Sequence, residues 1–264
     1  MEWHGTSIRL AAKHADQIRK GFKSAFNADN IVADFFAAHL GQTELTTQQA
    51  RDWTNTHITP DKTALNASLK PLYADGWVLG EAVAQTLLIK QIDKSITISP
   101  TIAPVVDWSS WTPGNKAASA LIKPKGGLQN LLDRRGLIID GVSNTKLDRI
   151  GTVLGKALEL GITPKEVSIM VDAVINDAQQ ALIIAQTEMS RAMTVASRNL
   201  YETSGVEQVE WLVAEGCDDC KENADASPIG INETFPTGDT EPPAHPNCMC
   251  DLAPYVVDTS TLGE

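Results

Sequence analysis

The chain has 264 residues, 42% hydrophobic and 21% charged, which is the make-up of an ordinary globular protein with room for about two domains. Its longest unbroken apolar run, Ala181–Ala185, falls far short of a membrane span, and Met1-Glu2-Trp3-His4-Gly5 lacks the basic-then-apolar build of a secretory signal. The net charge of −11 is concentrated in one place: twelve acids and one base, Lys221, fall between Glu210 and Glu264, against 21 of each sign before them. That acidity argues against direct DNA contact by the C-terminal part.

The first part of the chain reads as helices. Ile8, Leu10/Ala11, Ala15, Ile18, Phe22 and Phe26 recur at three- and four-residue steps, one apolar face of a helix. A second helix is expected over 28–40. Thr46 with Gln49 forms a capping-box signature for a third, ending near His57. Thr59-Pro60 predicts the start of a fourth, with Pro at its first position, running to about Gln91. Trp53 and Trp77 on these helices are expected in the core. At Ser95 the composition changes: 96–106 is β-branched, uncharged and broken by Pro100 and Pro104, so it reads as an extended connector followed by Trp108 and Trp111.

Helical character returns over 117–122, 128–137 and 145–160, the last stopped by Gly161. Thr163-Pro164-Lys165-Glu166 combines an N-cap, a first-position Pro and a box-closing Glu for a helix ending near Asn176. A long helix over 178–202 buries Leu182, Ala185, Met189, Ala192/Met193, Ala196 and Leu200, and Gly205 ends it. The period then shifts to two: Val209, Trp211 and Val213 share one face of a strand. The remainder, to about Val257, is rich in Pro and Gly turns and needs a stabiliser besides its small core.

Every cysteine lies in that last segment. Cys217-x-x-Cys220, a gap of 24 residues, and His245-x-x-Cys248-x-Cys250 offer five candidate ligands for the four places of a tetrahedral zinc site. In a reducing compartment such clusters bind metal more often than they pair; an oxidising one would favour disulfides. The favoured set is Cys217, Cys220, His245 and Cys250, with Cys248 the rival for one place. Four protein ligands leave no open position, so the expected zinc is structural. His4, His14, His39 and His57 have no cysteine near them in sequence, and no nucleophile, phosphate-loop or dinucleotide motif is present, so no enzymatic activity is expected. Asp218 and Asp219 are expected to solvate the first turn.

The segment Ile183-Ile184-Ala185-Gln186-Thr187-Glu188-Met189-Ser190-Arg191-Ala192, followed by Trp211, the acidic C-x-x-C, Phe235-Pro236 and Pro242-Pro243-Ala244-His245-Pro246-Asn247-Cys248-Met249-Cys250, resembles the phage Mu F-like minor head, or head morphogenesis, protein family. The resemblance covers about residues 150–257; Met249 departs from the family's usual Arg, and the N-terminal 125 residues match nothing in it. It implies a low-copy structural protein of a tailed-phage head. The expected partners are the portal protein, scaffold or major capsid protein, with a homo-oligomer on the portal and no membrane. The expected location is the head interior at the portal vertex, after assembly in the host cytoplasm, with a role in prohead assembly, DNA packaging or ejection.

The expected fold is α+β: a helical region over 1–94, the connector over 95–125, and a Mu F-like domain over 126–257. The zinc-binding part of that domain is 209–257, and a tail follows over 258–264. The alternatives are a zinc-ribbon adaptor between proteins and, less favoured, a metal-dependent hydrolase or nuclease using His245 with an acid such as Asp218.

Overall fold

A computed structural model describes residues 2–40, 45–95, 126–213 and 216–255, with side-chain surroundings from residue 5 onward apart from 92–95 and 126–138. The expected connector beyond Ser95, the helix at 117–122 and the tail over 258–264 lie outside the described residues. The fold is mostly helical with a small C-terminal antiparallel sheet. The helices that precede the sheet are α1 (Glu2–Ala25), α2 (Ala28–Ala38), α3 (Thr47–His57), α4 (Lys62–Ser95), α5 (Gly126–Leu160), α6 (Pro164–Ile175) and α7 (Ala178–Thr203).

Local chemistry sets most of these ends. Thr46 Oγ1 accepts from the Gln49 N–H at 3.2 Å while Gln49 Oε1 accepts from the Thr46 N–H at 2.9 Å. Thr163 and Glu166 build the same reciprocal box on α6. Gly161 and Gly205, at φ +65° and +79°, end α5 and α7. In each, the N–H of the residue after the glycine reaches back five residues, Ile162 to Ala157 and Val206 to Tyr201, both at 3.0 Å.

Two helices differ from the sequence reading. α4 starts at Lys62 rather than at Pro60, because Asp61 is the cap: its carboxylate accepts from the Thr63 N–H at 2.9 Å. The pieces expected at 128–137 and 145–160 form a single 35-residue α5. Its glycines do not break it, since Ile139, Ser143, Lys146, Leu147 and Ile150 carry one buried stripe straight through. By length and composition Pro164–Thr203 would suffice to cross a membrane. The chain there is two helices, however, with Asn176 capping α6 before α7 begins.

The chain forms two compact units. One is drawn from Ala15–Lys70 and Asp133–Ala181, the other from Met1–His14, Pro71–Leu132 and Leu182–Glu264. In the first, α2 packs on α6, and Phe22, Phe35, Leu147, Ile150, Leu154, Val167 and Val171 fill the core. Trp53 is only half-buried, ringed by Phe35, His39 and His57. Arg51 Nε donates to Thr152 Oγ1 at 3.0 Å, tying α3 to α5. Lys146 is fully buried; its Nζ donates to the Val174 carbonyl and to Gln180 Oε1, both at 2.8 Å, and lies 4.4 Å from the centre of the Phe22 ring. Burial lowers its pKa to about 8. In the second unit Trp77 is core, as expected, with Leu72, Tyr73, Met189 and Ala192.

Two tests follow for the helical part. Between pH 8 and 10.5 the unfolded chain holds more protons at Lys146 than the folded chain does, so this group makes stability rise with pH across that window. Urea denaturation of wild type and Lys146→Met should give a difference that moves in favour of wild type from pH 8 to 10.5; a flat difference contradicts the assignment. Thr163→Ala, which removes the α6 cap, is expected to cost about 1 kcal/mol in the same measurement.

Candidate metal centre

Beyond α7 the alternation of apolar residues makes strand β1 (Gln208–Leu212), with Val209 and Trp211 buried and its polar positions half-exposed. It is the central strand, antiparallel to both β2 (Ile229–Gly230) and β3 (Asp251–Tyr255), with Trp211 opposite Leu252. Trp211 meets Phe235 edge to face at 5.0 Å, and both sit in a cluster with Tyr201, Val206, Cys220, Cys248, Cys250 and Leu252. So small a sheet buries little on its own, and three of its core side chains are cysteines.

The C-x-x-C opens a helix, α8 (Asp218–Asp225), rather than a bare turn: Cys217 is the N-cap residue and Cys220 faces inward. The sequence reading missed α8 because eight residues with only Cys220 and Asn223 buried show no apolar period. Asn223 anchors it. Its amide donates to Thr237 Oγ1 at 2.9 Å, and its backbone carbonyl accepts from Ser227 Oγ, which in turn accepts from the Trp211 N–H at 2.9 Å. Asp218 and Asp219 point to solvent, as expected.

His245-Pro246-Asn247-Cys248 is a turn with a physical reason for each residue. The Cys248 N–H donates to the His245 carbonyl at 3.2 Å, and Asn247 has φ +64°. Pro second and Asn third is the pattern of a type II turn, where the third residue needs a left-handed backbone. The turn thereby delivers His245 and Cys248 to one side.

α7 holds this loop in place. Thr187 Oγ1 accepts from the Asn247 N–H at 3.1 Å, and the Thr194 hydroxyl donates to the Pro242 carbonyl. Arg198 donates to the Thr240 carbonyl at 2.8 Å, pairs with Glu241 at 3.1 Å and donates to the Ile231 carbonyl. The buried Glu188 accepts from Tyr73 on α4 at 2.7 Å, and burial raises its pKa. α4 lies close enough that a Cβ on Gly80 would meet the Met193 carbonyl oxygen at 2.2 Å. Sequence reasoning did not find the roles of Thr194 and Arg198; their partners are carbonyls 33 to 48 residues away, which no local spacing encodes.

The cysteines and His245 converge. Cys217, Cys220 and His245 place ligand atoms within 4.8 Å of one another, as do Cys220, Cys248 and Cys250, so Cys220 belongs to both groups. Cys220 Sγ lies 3.5 Å from His245 Nε2 and 3.7 Å from Cys248 Sγ. In a tetrahedral zinc site, bond lengths of about 2.3 Å to sulfur and about 2.0 Å to nitrogen imply edges of about 3.5 Å for S···N and about 3.8 Å for S···S. The residues fit such an ion. All four thiols are free, and only Cys217 is exposed.

The surroundings of the ligands fit as well. His245 Nδ1 donates to the Pro246 carbonyl at 2.9 Å, which leaves Nε2 without a proton and free to bind metal. The same carbonyl raises the His245 pKa. The Cys220 N–H at the start of α8 holds Cys217 below the usual thiol range. Hydrogen bonding from the Cys250 thiol, then from the Cys250 and Ala244 N–H groups, lowers Cys248 to about 5. Burial pushes Cys220 up to about 12, and donation to Cys248 raises Cys250.

Of the remaining histidines, His14 is buried 2.9 Å from Asp75, and His39 and His57 each reach a carbonyl of their own helix. Comparison with protein-family models, with curated proteins and with solved structures finds no match to this chain.

The turn can be tested apart from any metal. Because Asn247 sits at φ +64°, Asn247→Gly should leave thermal stability nearly unchanged. Asn247→Val should cost about 1–2 kcal/mol. Equal effects of the two changes would contradict the turn assignment.

Proposed function

We propose that this chain is a minor structural protein of a tailed-phage head, associated with the portal, whose C-terminal domain is stapled by one structural zinc. The observation that carries the reading is the bonding between the two halves of the motif that suggested it. The Thr187-Glu188-x-x-Arg191-Ala192 helix and the Pro242-to-Cys250 loop are far apart in sequence, yet Thr187 and Thr194 on that helix hold Asn247 and Pro242. Helix and loop thus act as one unit, as they would if the resemblance reflects a shared domain.

Zinc would be held by Cys217, Cys220 and His245 with one sulfur of the Cys248-x-Cys250 pair, and would supply a closed tetrahedral cross-link between α8, the His245 turn and the start of β3. No oxygen ligand is needed, which favours a structural ion over a hydrolytic one. The acidic surface of α8, with Asp218, Asp219, Glu222 and Asp225, suits protein partners better than DNA.

Two measurements test this. Excess chelator should abolish the near-ultraviolet dichroism of the Trp211 environment and lower the melting temperature of wild type, while a Cys220→Ser chain should already have lost both; chelator without effect on wild type contradicts a structural metal. Quantitative mass spectrometry of proheads and mature particles should find a few copies per particle, lost when the portal protein is absent. Particles devoid of the chain contradict the head role.

A further inference from the structure

The Trp211 side chain is 2% exposed, yet its indole N–H is buried with no hydrogen-bond partner closed on it. Buried donors in folded proteins are nearly always satisfied, so an orphan beside a ligand cluster marks an interaction that belongs to the loaded site. The ring cannot swing away. Phe235 packs edge-on against it at an interplanar angle of 77°, the backbone N–H of Trp211 is bonded to Ser227, and the register with Leu252 fixes β1 beside the Cys250 end of β3. The Cys250 sulfur, itself 3% exposed, shares the same buried cluster and stands two residues before Leu252, the residue opposite Trp211, which makes it the thiol diagonal to the indole on that face. Among the described residues no other tryptophan lies in the cluster.

We propose that Trp211 is a positioning residue for the metal centre: its indole N–H donates to the Cys250 thiolate of the loaded site, and so fixes Cys250, rather than Cys248, as the fourth ligand. This rests on the zinc reading above. A neutral thiol is a poor acceptor, whereas a metal-bound thiolate keeps lone pairs that accept N–H groups. The donor lowers the energy of those lone pairs, which makes the sulfur less nucleophilic and its bond to the metal less prone to exchange. Phe at this position would retain the packing on Phe235 and lose only the donor.

The test uses the full chain loaded with Co(II), whose sulfur-to-metal charge-transfer bands report the thiolates directly. Wild type should show the bands of a tetrahedral site with three thiolates. Trp211→Phe should bind Co(II) with the same stoichiometry and the same ligand-field bands, but with charge transfer moved to lower energy. Cys250→Ser should lose about one third of the charge-transfer intensity and Cys248→Ser none, as expected for a site with three sulfur ligands. If Trp211→Phe does not fold, replacement of Trp211 by benzothienylalanine keeps the shape and removes the N–H. A charge-transfer band unmoved in both replacements, or intensity lost in Cys248→Ser instead of Cys250→Ser, overturns the proposal while leaving the zinc reading intact. A wild-type chain that binds no Co(II) removes both.

Discussion

The position of the Cys220 sulfur is the constraint on which the C-terminal domain depends. It is fully buried and within ligand distance of Cys217 and His245 on one side and of Cys248 and Cys250 on the other. A buried thiol there is hard to ionise, because burial, with the neighbouring sulfurs, pushes it up to about 12. A cation is the ordinary physical means of placing several sulfurs and an imidazole so close together, since it cancels the charge that burial penalises. Remove that means, and a sheet of two five-residue strands and one two-residue strand is left to bury Trp211 and Phe235 without a staple.

The second support is α7. Its buried face is not simply greasy: Thr187, Thr194 and Arg198 project from it and receive the backbone of the loop between Ile231 and Asn247. Loops this rich in proline offer few backbone N–H groups and many unpaired carbonyls. Side-chain donors on a rigid helix are an efficient way to satisfy those carbonyls. This gives the Thr-Glu-x-x-Arg-Ala segment a structural role that does not depend on any chemistry at the metal. Glu188, turned toward Tyr73, holds the same helix to α4.

Much of this was legible in the sequence wherever the determinant is local. The capping boxes at Thr46 and Thr163 and the stops at Gly161 and Gly205 depend on residues within a few positions, and they appear where the spacing puts them. Strand β1 follows from strict alternation around Val209 and Trp211, and the convergence of the cysteines and His245 from their spacing. What was not legible depends on partners far along the chain. α5 runs unbroken because tertiary burial of Ser143 and Lys146 overrides its glycines; α8 is too short and too polar to show a period. The carbonyls that Thr194 and Arg198 satisfy leave no trace in sequence at all.

X-ray absorption at the zinc edge of the purified, zinc-supplemented chain would count the sulfurs and the imidazole around the ion. A structural site should give one zinc per chain with about three sulfurs near 2.3 Å and one imidazole nitrogen near 2.0 Å, and no further oxygen. A first shell containing water, a shell without imidazole, or a chain that retains no zinc would contradict it.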